Sequence, residues 1–484
     1  MREVIAAFEN GKRIGELEAA QSVDSSTLIE VTDGSGASRR MGLEAVLAEG
    51  MNEIAGRWWH RGMATTKAGG VAGSAEALRR LPETLGLGRY LVTDDGEMRK
   101  LDPLNSRRFE DGTPAALDGS MGQCMWCWSR AWYFTRWMEG ERDVWAISLK
   151  PIDGRKSYRI PAGGTSWLGA GVIDRTTGRL CSVISSDERY RGGAGAAVSG
   201  KGQQPAADAP QRTMLGMPAT CLGLNACSDA ARKRGPGWDA NWFVAQAAVQ
   251  ILITVLLGER NVQAAFNPDR DDDGLMQGGM GAGVTTVASD WWPAYNNTYP
   301  LVPTELGAEA GDRTVVIEYH LPVPEGGGAA VSLQVPCFMG LMHAGYGHLW
   351  RMVGGVKVVM RENGSAWVYV SPTMKDGHFG DFVVGLPMVS TMPAGADYIM
   401  QLSMEGLCGT PTYLGGSELT YFADYLYGAT SYKDRPRIRC AGGKADSKGS
   451  VGLFSSMTET GSDYAAAHMT APLSFFSEDP VMEV

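Results

Sequence analysis

A run of acidic residues in the middle of the chain has the spacing of a calcium-binding loop. Asp269, Asp271 and Asp273 alternate with other residues and are followed by Gly274. These residue types match positions 1, 3, 5 and 6 of such a loop, where oxygen ligands surround the cation and glycine permits a sharp turn. Position 12, which usually carries a bidentate glutamate, is Met280. The pattern fits either a Ca²⁺ site formed by the three aspartates or a polar surface turn.

Cys124 and Cys127 form the other arrangement that could carry chemistry, a pair of cysteines separated by two residues. A redox or zinc-binding pair needs a helix N-terminus or a second Cys/His pair beside it. The flanking residues predict a strand instead, so we expect two structural thiols. The sequence contains no HExxH, GxSxG, P-loop or dinucleotide motif. We therefore expect no enzymatic activity and no required cofactor.

Charge and hydropathy narrow the classes of partner. The 484 residues carry a net charge of -10 and no basic run, so we expect neither nucleic-acid binding nor attraction to an anionic membrane. The most apolar run, residues 242–257, contains two glutamines and a threonine and is too short to insert into a membrane. No signal peptide is evident. We expect synthesis in a cytoplasm and eight reduced cysteines.

The chain divides into three regions by pattern. Residues 1–50 contain a strand at 27–32, a turn at 33–36, and a further strand that runs into a short helix at 39–47. This order resembles the N-terminal virion-attachment segments of phage fibre proteins. Residues 51–119 have mixed, Gly- and Ala-rich character typical of a linking or intermediate region. Residues 120–484 then form a large domain.

The large domain should combine a sheet with two helices, which makes the fold class α+β. Aromatic and apolar runs predict strands at 123–128, 131–137 and 142–148. Asn225 is the predicted N-cap of a helix through Arg234, and Asp239 that of a second helix through Leu257, ended by Gly258. Apolar residues cover most of the second helix, so it should lie in the core.

Two motifs near the C-terminus resemble a known fold family. Trp350 closes a Gly-Tyr-Gly-His-Leu-Trp stretch, and Arg437 precedes Arg439 and the pair Gly442-Gly443. These motifs resemble the signatures of the formylglycine-generating-enzyme branch of C-type lectin folds. The resemblance implies that Trp350 anchors the core and that the arginine and glycine strand leads into a ligand-binding face.

The segment that follows the glycine pair has neither a helical nor a strand period and ends in a strand-like stretch at 471–476. A variable segment at 436–476, framed in this way, resembles the variable proteins of diversity-generating retroelements. Matching stretches extend the resemblance over residues 120–484, to the gut-phage branch of those proteins. It implies a small N-terminal attachment module followed by a C-type-lectin-like domain with insertions. The candidate ligand-binding residues, which should mostly face solvent, are Lys444, Asp446, Ser447, Ser450, Leu453, Ser455, Thr458, Thr460, Ser462, Asp463, Tyr464 and His468.

The resemblance implies a receptor-binding tail protein located in the virion. Its expected partners are a host-bacterial surface receptor, either protein or glycan, and other tail or baseplate proteins through the N-terminus. A homotrimer is expected by analogy with phage fibres. The alternatives are a structural baseplate protein and a cell-displayed lectin. A formylglycine-generating enzyme would need a cysteine pair near the C-terminal signature, where only Cys440 is present.

The acidic run gives a test that needs no knowledge of the receptor. If Asp269, Asp271 and Asp273 bind Ca²⁺, millimolar calcium will raise the melting temperature of EDTA-stripped protein, because a ligand of the native state stabilises it. Differential scanning calorimetry measures the shift, and Asp271→Asn should lose it. An unchanged melting temperature in the parent protein would leave the polar-turn interpretation.

Overall fold

The computed structural model describes residues 28–32, 38–42, 58–64, 71–72, 78–190, 192–194, 216–266, 302–321, 331–361, 364–374, 385–428 and 435–480. For the first four stretches the backbone alone is described. The strands of the N-terminal half are β1 Leu28–Thr32, β2 Ser38–Gly42, β3 Trp58–Ala64, β4 Val71–Ala72, β5 Gly88–Val92, β6 Met98–Asp102, β7 Asn105–Phe109, β8 Gln123–Trp128, β9 Trp132–Glu139, β10 Arg142–Ser148, β11 Ser157–Ile160, β12 Gly163–Ser166, β13 Val172–Asp174, β14 Arg179–Cys181, β15 Gly193–Ala194, β16 Ala219–Thr220 and β17 Trp238–Ala240.

The C-terminal half contributes further strands and most of the short 3-10 turns. Its strands are β18 Val315–Leu321, β19 Val331–Phe338, β20 Leu341–Met342, β21 Trp350–Met360, β22 Ser365–Val370, β23 Met388–Pro393, β24 Ala396–Ser403, β25 Thr410–Leu414, β26 Tyr425–Tyr427, β27 Pro436–Ala441, β28 Ser456–Met457, β29 Met469–Thr470 and β30 Leu473–Phe476. The α-helices are α1 Leu81–Leu85, α2 Leu224–Arg232, α3 Phe243–Leu257 and α4 Val262–Phe266, and the 3-10 helices are Glu188–Tyr190, Thr304–Glu309, His343–Gly345, Glu405–Leu407 and Ala445–Ser450.

The described chain is mostly β-sheet with few helices. Nearly all strand pairs are antiparallel, and the parallel pairs β15–β16, β21–β29 and β26–β28 are short. A large parallel sheet of the doubly wound type is therefore not present among the described residues. The coarse expectation of strands combined with a few helices is confirmed.

The N-terminal hairpin agrees with the sequence pattern as far as it is described. Strands β1 and β2 pair antiparallel, with Leu28 opposite Gly42 and Thr32 opposite Ser38. The helix predicted to follow them extends beyond the described residues.

Strands β3 to β7, which come from residues 51–119, belong to the two sheets that also contain the aromatic strands β8, β9 and β10. The five-stranded sheet has the order β11-β9-β10-β3-β4, and the seven-stranded sheet has the order β17-β30-β12-β8-β5-β6-β7. Strand β3 pairs along its whole length with β10, and β5 pairs with β8. This pairing corrects the prediction of a linking region for these strands, because a strand inside a sheet is part of the folded body. These strands are short and flanked by glycines, so their alternation of polar and apolar residues is too weak to predict them.

The aromatic strands form where the residue types predict them. β8 and β10 have the predicted bounds, and β9 begins one residue and ends two residues later than expected. Every residue of β8 is buried, as in strands covered on both faces. Trp126, Trp128 and Trp132 pack edge to face, with ring centroids 6.3 and 6.4 Å apart.

Both predicted helices exist, but both predicted N-caps are wrong. Helix α2 is capped by Gly223, so Asn225 lies inside it. Asp239 lies in β17, not before α3, whose N-cap is Trp242. The Asp239 side chain is buried and receives hydrogen bonds from Ser228 and from Arg232, the latter at 2.8 Å. The Asp239 carboxylate, which the local sequence predicts to cap a helix, therefore forms a tertiary ion pair with Arg232 instead.

Helix α3 is the element on which the three large sheets meet. Its residues 243–255 are all buried, and Gly258 ends it in the left-handed conformation, as predicted. It packs against β10 of the five-stranded sheet, β12 of the seven-stranded sheet and β21 of the nine-stranded sheet. A helix that is apolar all round must be covered on every side, and these sheets provide that cover.

Truncating a side chain of α3 tests this core position. Leu252→Ala should lower the free energy of unfolding by about 2–5 kcal/mol, because it leaves a cavity in packed surroundings. Leu104→Ala removes the same atoms from a side chain that is 80% exposed and should change it by less than about 0.5 kcal/mol. Urea unfolding measures both. Equal, small effects would show that α3 is not a core helix.

Candidate functional site

The C-terminal segment, residues 442–472, joins interior strands of two different sheets. It begins after β27, which lies between β21 and β28 in the nine-stranded sheet, and ends at β30, which lies between β17 and β12 in the seven-stranded sheet. Gly442 and Gly443 open the segment with φ of +93° and +75°. A Cβ at Gly442 would lie 2.9 Å from the carbonyl oxygen of Gly345. Glycine is therefore required there by conformation and by close backbone approach.

The signature residues lie at the base of this segment. Trp350 is buried, which confirms its expected place in the core. Its backbone N–H donates to the carbonyl of His468 at 3.0 Å, and its ring packs edge-on against Tyr427 with centroids 5.8 Å apart. Arg437 is half-buried in β27. The N–H of Gly347 donates to the carbonyl of Gly442 at 2.9 Å. These contacts fix the two signature stretches to one another.

Side chains from neighbouring elements hold the first half of the C-terminal segment. An oxygen of the Asp424 carboxyl group accepts a hydrogen bond from the N–H of Phe454 at 2.6 Å. The Gln263 amide, from α4, donates to the carbonyl of Val451. The Gln250 amide, from α3, donates to the carbonyl of Leu453 at 2.9 Å. Buried irregular backbone needs such partners, because it makes no regular ladder.

Four of the candidate ligand-binding side chains do not face solvent. Leu453, Ser455, Thr458 and Ser462 are buried, which corrects the expectation of an exposed surface at these positions. Leu453 belongs to the main hydrophobic core. The Ser455 hydroxyl donates to the carbonyl of Ser450 at 2.8 Å and accepts from the N–H of Tyr425. The segment lacks an apolar period because its backbone is irregular although buried, and small side chains such as Ser455 form hydrogen bonds with backbone atoms.

The remaining candidates lie at the surface to different degrees. Asp463 and Tyr464 are exposed, Tyr464 by 41%. The N–H of Tyr464 donates to the carbonyl of Gly461 at 3.2 Å, which closes a tight turn. The side chain of Asp446 lies outside the described residues. The half-buried members are Lys444, Ser447, Ser450, Thr460 and His468.

A row of tyrosines that the sequence analysis misses lies next to the C-terminal segment. Tyr398 of β24 stands opposite Tyr425 of β26, with ring centroids 5.0 Å apart. Tyr425 and Tyr427 are 4.7 Å apart, and the Tyr427 hydroxyl lies 2.6 Å from that of Ser450. All three rings, the tyrosine row, are half-buried. The alternation at 425 and 427 was the available signal, but only strand pairing brings in Tyr398.

The structure bears on the predicted cysteine pair but not on the predicted calcium loop. Asp269, Asp271 and Asp273 lie outside the described residues. Within the described part of the chain no group of His, Cys, Asp and Glu has an arrangement for a metal ion. Cys124 and Cys127 are free thiols buried in β8, and burial raises the pKa of both. Their interpretation as structural thiols is confirmed, and all eight cysteines are free and buried.

An opening of about 370 Å³ has no lining residue from the C-terminal segment. Its wall includes Arg179 and Arg234, which both pair with Asp94, at 2.9 and 2.6 Å. The Arg234 guanidinium also donates to the carbonyl of Leu180. Both guanidinium groups already have a structural partner in Asp94, so this opening is the weaker candidate for a ligand site.

No protein-family model matches the chain, and no curated protein matches it. None of the helices in the described residues is both long and apolar enough to cross a membrane.

The pH dependence of stability tests the role of Asp424 beneath the site. Burial raises the pKa of Asp424 to about 8, above an unfolded value of about 3.9. The folded protein then retains a proton that the unfolded chain releases, so the contribution of Asp424 to stability is fully present below about pH 4 and is lost as pH rises towards 8, by up to about 1.4 kcal/mol per unit. Asp424→Asn should remove this component. Parallel curves of unfolding free energy against pH for the two proteins would contradict it.

Proposed function

We propose that this chain is a bacteriophage receptor-binding tail protein that contacts a host surface through the C-terminal segment and the tyrosine row. The observation that carries the proposal is the division within the C-terminal segment. Its buried residues are held by Asp424, Gln263 and Gln250, whereas Asp463 and Tyr464 project to solvent. A rigid base with exposed side chains on irregular backbone is the usual construction of a binding surface.

The chemistry of this surface suits protein or glycan recognition. Tyrosine gives a large contact area with little loss of side-chain entropy, while serine, threonine and aspartate supply hydrogen bonds. Tyr464 and the tyrosine row provide the first kind of contact. Asp463, Ser447 and Thr460 provide the second. Glu459, which is exposed in the same segment, adds a further acceptor.

A C-type-lectin-like scaffold diversified by a retroelement is the finer form of this proposal. It is supported by the buried Trp350, by Gly442, whose positive φ and close packing require glycine, and by the closing strand β30 inside a sheet. The N-terminal hairpin, β1 and β2, would attach the protein to other tail or baseplate proteins. Trimerisation would then raise weak single-site affinity through avidity.

Binding to intact cells tests the proposal. Fluorescently labelled protein should bind at least one strain in a panel of gut-bacterial isolates, measured by flow cytometry. Replacing Asp463 and Tyr464 with alanine should weaken that binding at least tenfold, because a buried interface tyrosine commonly contributes more than 1.4 kcal/mol.

The matched control is Leu104→Ala, which removes an exposed side chain from the turn between β6 and β7. Its binding and melting temperature should equal those of the parent protein. Unchanged binding by the Asp463 and Tyr464 double variant, with its fold intact, would reject this surface as the contact site.

A further inference from the structure

Arg351 is a buried cation without a carboxylate partner in the described part of the chain. Its side chain is nearly inaccessible, and its Nε donates to the carbonyl of Gly169 at 3.2 Å. Its Nη1 and Nη2 have no hydrogen-bond acceptor among the described residues. Burial lowers the pKa of Arg351 to about 9, so the group remains charged at neutral pH. Removing a charge from water without a partner is costly.

The other buried arginines with an assigned charge partner show the contrast. Arg89 pairs with Asp312 at 3.3 Å, and Arg234 pairs with Asp94 at 2.6 Å. Arg351 therefore lacks the carboxylate partner that these two buried guanidinium groups have.

A small cavity is lined in part by Arg351. It measures about 10 Å³, and its walls include Gln246 of α3 and Gly345. The Nε2 of Gln246 also has no acceptor among the described residues. Its Oε1 accepts from Asn241 at 3.4 Å, which leaves the NH₂ end for the cavity. Arg351 and Gln246, which together carry three buried N–H donor atoms without an acceptor among the described residues, thus line the same cavity.

Glycines make the room for this arrangement. A Cβ at Gly442 would lie 3.1 Å from Nη1 of Arg351, and one at Gly345 would lie 3.7 Å from it. The Gly442 of the signature therefore also accommodates the guanidinium, beside the first residue of the C-terminal segment.

The neighbouring histidines do not change the charge balance. His343 and His348 stack with ring centroids 4.3 Å apart. Burial lowers the pKa of His343 well below its ordinary value and that of His348 to about 3, so both rings are neutral. The single positive charge of this cluster belongs to Arg351.

We propose that Arg351 and Gln246 bind one chloride-sized anion in this cavity. A halide accepts several N–H donors at once and offers none in return, which matches a space bordered by unpaired donors. The volume admits one particle of about atomic size, so phosphate, sulfate and carboxylate ligands are excluded. The anion neutralises Arg351 where α3, β21 and the start of the C-terminal segment meet.

Thermal unfolding of the full chain tests the site. Chloride should raise the melting temperature relative to gluconate at equal ionic strength, by roughly 2–5 °C at about a hundredfold excess over the dissociation constant. Gluconate is too large for the cavity. An identical melting temperature in the two salts would overturn the proposal.

A pair of variants on one helix separates this site from general salt effects. Gln246→Glu places a carboxylate beside Arg351 and should abolish the response to chloride. Gln250→Glu, one turn along α3, loses the hydrogen bond to the carbonyl of Leu453 and should be less stable yet retain the response. A Gln246→Glu protein that still responds like the parent would contradict the assignment.

Bromide provides a measurement on the unaltered protein. Crystals grown in sodium bromide should show an anomalous peak within about 3.5 Å of the Arg351 Nη atoms and the Gln246 Nε2. Density for a water molecule without anomalous signal would overturn the proposal, and this result does not depend on any variant folding.

Discussion

The position of the C-terminal segment depends on one constraint: both of its ends are interior strands. Strand β27 has hydrogen-bonded neighbours on both sides in the nine-stranded sheet, and β30 has them in the seven-stranded sheet. Between them, β28 pairs with β26 and β27, and β29 pairs with β21, so the segment itself is held to the nine-stranded sheet at two further places. Side chains that project from this segment are therefore presented on a fixed path, which favours recognition by pre-organised groups over recognition by a loop that orders on contact.

The same constraint explains why so much of an irregular segment is buried. Where the chain passes through the core without a ladder, its N–H and C=O groups need other partners. Gln250, Gln263 and Asp424 supply them from α3, α4 and the stretch before β26. Gln250, a polar residue of the otherwise apolar helix α3, thus holds the backbone of the C-terminal segment. The glutamine of α3 that lacks such a contact, Gln246, borders the cavity beside Arg351.

Sequence reasoning succeeds where one local signal dominates. The bounds of β8 and β10 follow from dense aromatic and β-branched runs, and the end of α3 follows from Gly258. Prediction fails where a tertiary contact uses a side chain that the local sequence pattern places elsewhere. Asp239 has the residue type of an N-cap, but its carboxylate pairs with Arg232 inside a sheet.

The candidate site shows the same division. Polar residues without a period predict an exposed loop, yet Ser455 and Ser462 are buried. The Ser455 hydroxyl donates to the carbonyl of Ser450, and the carbonyl of Ser462 accepts from the N–H of Leu224. Tyr398 could not be assigned to the site from sequence, since strand pairing alone brings it to Tyr425. Exposed residues such as Tyr464 are placed by the turns around them, not by their own pattern.

Hydrogen exchange on the full chain, with and without envelope fragments of a strain that it binds, tests whether the C-terminal segment is the contact surface. We expect slower exchange of backbone amides in residues 459–468 when the fragments are present. Amides of β27 and β30 should exchange slowly in both samples, because they lie inside sheets. Protection confined to other surfaces, with residues 459–468 unchanged, would contradict a contact surface on the C-terminal segment.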